Sequence, residues 1–155
     1  MSLFPINPAP TSPRRIRDVL TATPDSAGLF VALPEALPEI AASSQAQGFN
    51  LWTIELDNIG NADGLLAKIG EALHFPDWYG RNWDALADCL SDLSWCDADG
   101  HVLVLQGCTS FAEKAPRAFD TLQDLLGEVS QIWRTANIGF WVFIDAPRDG
   151  LPVVQ

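Results

Sequence analysis

Positive charge is scarce in this chain: its 155 residues carry nine Lys and Arg against twenty Asp and Glu, a formal net charge of −11. A surface that negative repels phosphate backbones and anionic lipid, so a nucleic-acid binder or a membrane-surface protein is not expected, and a cationic partner is favoured. No basic stripe offsets the balance. The plainest reading of the charge alone is solubility. Histidine is scarcer still. His74 and His101 are the only two, far apart in sequence, which argues against a metal site. Cysteine is limited to Cys89, Cys96 and Cys108, an odd number with no C-x-x-C spacing, so neither a secreted disulfide framework nor a zinc ribbon is expected. No run approaches the ~20 apolar residues of a membrane span. The opening stretch MSLFPINPAPTSPRR sets prolines where a secretion leader needs an unbroken apolar segment. The expectation is a cytoplasmic protein with reduced thiols, no cofactor and no metal.

Apolar residues, in contrast, are plentiful. At 48% hydrophobic, with a mean hydropathy of +0.09, the chain has enough to bury a core and is not a disordered polymer. Three regions are expected. Residues 1–26, with Pro5, Pro8, Pro10, Pro13 and Pro24, read as a proline-rich arm. The Arg14, Arg15 and Arg17 group in it is either a solvated patch or a strap folded back on the acidic body. Residues 27–147 read as the domain, and 148–155 as a short C-terminal tail.

Within the domain, apolar runs alternate with helical patterns. Gly28–Leu33, Leu51–Leu56, His101–Leu105 and Phe140–Ile144 read as strands. Leu37–Gln47 is a weak helix. Asp63 is a candidate cap for a helix with Leu65, Leu66, Ile69 and Leu73 on one face. Trp83–Leu93 is a further helix, and Ser110 and Glu113 have capping-box spacing. A long helix over about Arg117–Ala136 carries the stripe Phe119, Leu122, Leu126, Val129 and Trp133, with Gly139 ending it. FWVFI, apolar at every position, marks a strand buried on both faces. Strands separated by helices imply parallel pairing with helical crossovers. The fold class expected is α/β: a small sheet of three parallel strands packed by helices, with Gly28–Leu33 a candidate fourth.

The stretch Phe75–Trp95 carries the functional signal. On a helical wheel with Asp84 at the origin, Asp88 falls at about 40° and Asp92 at about 80°, while Leu86, Cys89, Leu90 and Leu93 lie on the opposite side. Like charges at i, i+4 each destabilise a helix by about 0.2–0.5 kcal/mol. Between Asp77 and Asp99 the only basic residue is Arg81, so no cation four positions away relieves them. A stability-only account does not need this row. A surface that imitates phosphates does, because carboxylates one helical turn apart offer acceptors to the cations that normally hold a nucleotide. The preceding turn supplies Trp78 and Tyr79, aromatics of the kind that anchor interfaces or cap a core, with at least one ring expected to be exposed. Gly80 is expected to supply a positive φ and Asn82 to cap the helix.

The segment PDWYGRNWDALADCL closely resembles the signature of the barstar family, in which an aromatic pair and Gly-x-Asn lead into a helix bearing two aspartates four apart. The resemblance covers roughly Asn50–Ile144, with the first 49 residues as an extension of the kind seen in longer members. It implies a barstar-like fold and a protein inhibitor that blocks the basic active site of a ribonuclease. It further implies that Asp88 is the main charged contact with Asp84 beside it, that Trp78 is the interface aromatic, and that Gly80 and Asn82 shape the loop. Tyr79, Asp92 and Thr135 complete the expected partner-binding set. Thr135 stands where the family prototype carries a glutamate, with Arg134 next to it, and Trp78 and Arg81 also depart from the prototype.

Two other readings stand beside this one. One is a binding module of the same fold with a non-nuclease partner, since fold does not fix function. The other is an enzyme using Asp84 and Asp88 as acid and base or to hold Mg²⁺. Carboxylates on an exposed helix rarely have the burial such chemistry needs, and no phosphate loop, G-x-S-x-G or Cys–His set is present.

Overall fold

The computed structural model describes residues 14–148 and 150–155. Pro5, Pro8, Pro10 and Pro13 of the expected arm lie outside the described residues. The elements run in chain order as α1 (Ile16–Val19), β1 (Gly28–Ala32), α2 (Leu37–Gln47), β2 (Asn50–Glu55), α3 (Ala62–Ala72), α4 (Trp83–Asp92), β3 (Gly100–Gln106), α5 (Cys108–Lys114), α6 (Pro116–Thr135), β4 (Gly139–Ile144) and β5 (Val153–Val154). The sheet has the order β2-β3-β4-β1-β5 and every pairing is parallel. It is a five-stranded sheet, not the three or four strands expected. The candidate fourth, β1, takes its place against β4. The fifth, β5, is two residues long after Pro152, too short for any periodicity to announce it.

Both faces of the sheet are covered, which is why β4 is buried at all six positions and β3 at six of seven. On one face, Leu103, Leu105, Phe140, Val142 and Ile144 pack with the apolar sides of α3, α4, α5 and α6. On the other, Val102, Val104, Trp141 and Phe143 pack with Ile16, Val19 and Leu20 of the α1 region and Ile40 of α2. The segment before β2 therefore supplies the second layer.

Two expected boundaries are corrected by this packing. The described part of the proline-rich arm is core: Ile16, Val19 and Leu20 are fully buried, a single turn of i, i+3, i+4 apolar spacing. The expected C-terminal tail is a strand. Val153–Val154 pairs with β1, and Arg14 bridges Val154, its N–H donating to Val153 O at 2.9 Å. Arg14, Arg15 and Arg17 are exposed and form no ion pair among the described residues, which favours the solvated-patch alternative.

Local signals were also reassigned. Asn61, not Asp63, caps α3, its Oδ1 accepting from Gly64 N at 2.8 Å; Asp63 sits in the first turn. The Ser110–Glu113 box does not form. α5 begins at Cys108, and the Asp145 carboxylate, arriving from the end of β4, accepts from the N–H groups of Gly107 and Cys108 at 2.8 and 2.9 Å. Gly139 does not end α6, since the left-handed residue there is Asn137 at φ 62°. Gly139 instead leaves room for the Trp141 ring, which lies where a Cβ would project.

Candidate protein-binding face

Asn82 starts α4. Its backbone is extended at φ −134°, and its Oδ1 accepts from Ala85 N at 2.8 Å, as expected of an N-cap. Leu86, Cys89 and Leu90 are fully buried. Asp84, Asp88 and Asp92 are all exposed. The described residues include all nine Lys and Arg of the chain, and among them the one ion pair is Arg148 with Asp120. The three aspartates thus have no internal counter-ion, and Asp92 accepts only the Ser94 hydroxyl, at 3.1 Å. Burial, with Asp88 and Asp92 adding, pushes the Cys89 thiol above its ordinary value, which makes it a core thiol and not a nucleophile.

The helix is pinned from below. Trp133 of α6 donates its indole N–H to Leu90 O at 2.8 Å, and Trp95 donates to Leu73 O at 3.2 Å. Beneath Trp133 lies His101, 2% exposed, with its ring 4.7 Å from the Trp133 ring. Burial lowers the His101 imidazole to about 4. Sequence reasoning assigned Trp133 to the apolar stripe and missed its bond to α4, because no local spacing signals an indole reaching another helix.

The loop before α4 separates its two aromatics. Trp78 is 61% exposed, the most exposed large apolar side chain described. Tyr79 turns inward: its hydroxyl donates to Leu66 O at 2.9 Å, its ring meets Phe75 edge-on at 4.8 Å, and burial pushes its phenol up to about 12. Gly70 of α3 makes the space, since a Cβ there would come 2.6 Å from the Tyr79 ring. Tyr79 therefore anchors the loop to α3. The positive φ expected at Gly80 is found at Arg81, at 54°. Gly80 is exposed and allows close approach, with a Cβ there 3.0 Å from Asn82 Nδ2.

Thr135 is exposed at the end of α6, and its hydroxyl donates back to Ile132 O within its own helix. Arg134 does not neutralise the acidic row: its guanidinium donates to Ala27 O, just before β1. Among the described residues, no group of three or more His, Cys, Asp or Glu is placed to hold a metal ion, and no helix is long and apolar enough to cross a membrane.

Fold and face together define an α/β protein with a wholly parallel sheet and an unneutralised row of aspartates on a helix fixed to its core. The family model described as "Barstar (barnase inhibitor)" matches residues 49–145, and the chain belongs to the Barstar family. That match begins one residue before β2, so α1, β1 and α2 precede it and β5 follows it. No curated protein matches the chain.

Proposed function

We propose that this protein inhibits a ribonuclease, laying the Asp84–Asp88–Asp92 row over the cations of a basic active site with Trp78 packed beside it. The observation that carries the reading is the exposed aspartate row itself, capped at Asn82, pinned by Trp133 and lacking any internal counter-ion. Carboxylates placed so accept the charge-assisted hydrogen bonds a substrate phosphate would otherwise accept. Asp84 and Asp88 are exposed on the outer side of α4, so the face suits docking of a protein surface over catalysis.

The test is inhibition of RNA cleavage across a panel of guanyl-specific and toxin ribonucleases that includes barnase, the enzyme in the family's description, with complex formation followed on a sizing column. Asp88→Ala should weaken binding by about 2–5 kcal/mol, the usual cost of truncating one partner of a buried, hydrogen-bonded charge pair, while leaving the melting temperature unchanged or raised. Unaltered cleavage with no complex, or a collapse of folding in Asp88→Ala, would refute the proposal. A second reading, the same face with a non-nuclease partner, draws on Thr135, where a further carboxylate contact is lacking. Under it a pull-down would return no nuclease.

A further inference from the structure

Arg81 is the one cation on the loop that delivers α4. It is exposed, lies between the exposed Trp78 and Asp84, and bonds to no carboxylate among the described residues. Its backbone sits at φ 54°, a left-handed conformation that favours Gly or Asn over Arg. The residues on either side hold it there: Tyr79 is fastened to Leu66 O and Asn82 to Ala85 N. Arg81 also lines an open groove of about 610 Å³ with Lys68, Glu71, Asp77 and Tyr79. Lys68 likewise has no ion pair among the described residues. In a chain of net charge −11, Arg81 thus stands three residues before Asp84, the first carboxylate of the acidic row, with Lys68 lining the same groove.

A plain electrostatic plug would omit them, because a positive charge at this position repels a uniformly basic partner and slows its approach. Discrimination between partners often rests on such a repulsive element. We propose that Arg81 is a specificity residue of this face. It selects a ribonuclease that is basic over α4 but bears a carboxylate at its rim, facing the groove, and it disfavours one whose rim is basic throughout. The inference rests on the inhibitor reading above.

The experiment measures association and dissociation of barnase with the full chain, with Arg81→Glu and Arg81→Gln, and with Arg117→Glu as a control. Arg117 opens α6, about 24 Å along the helix from the Trp133 contact with α4, so Arg117→Glu reports the effect of net charge alone. Glu and Gln meet the same left-handed backbone as Arg, so melting temperatures should match the parent. Arg81→Glu should bind barnase about tenfold more tightly, chiefly through faster association, Arg81→Gln should fall between, and Arg117→Glu should stay within about twofold of the parent. Weakening by Arg81→Glu, or a change no larger than the control, overturns the specificity role. Adding Asp88→Ala to Arg81→Glu separates the two claims. If that double variant keeps the tighter binding, or if no variant binds at all, the inhibitor reading fails and the role of Arg81 falls with it.

Discussion

Protonation of His101 should loosen the support beneath the acidic helix as the pH falls. The ring is 2% exposed and enclosed by Trp52, Trp133 and Phe140 at centroid distances of 5.9, 4.7 and 6.3 Å. Its Nδ1 lies 3.2 Å from Asn50 Nδ2, an amide nitrogen that can only donate, so the neutral ring accepts there and a charged ring would set two donors against each other. Burial lowers the imidazole from 6.5 to about 4, with Asp97 opposing weakly. The folded value lies below the unfolded one, so the unfolded chain takes up the proton first. The stabilisation is complete above pH 6.5 and is lost as the pH falls toward 4, about 3 kcal/mol across that window. Urea unfolding followed by tryptophan fluorescence at pH 7.5 and 4.5 measures it, with His101→Phe as reference to subtract the carboxylates. The parent should lose roughly 2–3 kcal/mol more than the variant. Parallel losses, within about 0.5 kcal/mol, would show that charging His101 is not resisted and that the argument from burial is wrong. Since Trp133 both covers His101 and bonds Leu90 O, barnase binding should weaken over the same range.

Trp78→Ala should weaken barnase binding while changing stability by less than about 0.5 kcal/mol, whereas Tyr79→Phe should cost about 1 kcal/mol of stability by removing the hydroxyl bond to Leu66 O; chemical denaturation of each variant checks the contrast. Asn82→Ala removes the cap of α4 and should destabilise by about 0.5–2 kcal/mol, measured by thermal melting. Raising salt should slow association with barnase far more than it speeds dissociation, read by stopped-flow, and a salt-independent association rate would point to an apolar docking surface instead.

The parts of this structure that could be read in advance are those set by short-range pattern. FWVFI is buried on both faces because nothing in it tolerates water, and the wheel of α4 separated its aspartates from Leu86, Cys89 and Leu90. What escaped is what depends on distant chain. Asp145 caps α5 from 38 residues beyond Gly107, so local spacing pointed to Ser110 instead. The turn Ile16–Val19 holds too few residues among prolines for its apolar faces to register, yet it meets Phe30, Trp141 and Phe143 in one cluster. The same holds at the candidate face. That one of the two loop aromatics would be exposed followed from their number and setting. Which one did not, because it depends on the room that Gly70 leaves on α3. The left-handed residue likewise fell on Arg81, one place after the glycine expected to carry it, since the tether at Tyr79 and the cap at Asn82 fix the loop from both ends.

The position of β1 has a temporal consequence. Its hydrogen-bonding neighbours are β4 and β5, and the Gly28–Trp141 pairing joins residues roughly 110 positions apart. On a ribosome adding about 5–20 residues each second, that strand waits unpaired for several seconds while the strands it will separate are still being made. Phe30 and Val31 are thus open to wrong partners throughout that interval, and slowing elongation downstream of β1 should lower the yield of native protein more than slowing it upstream.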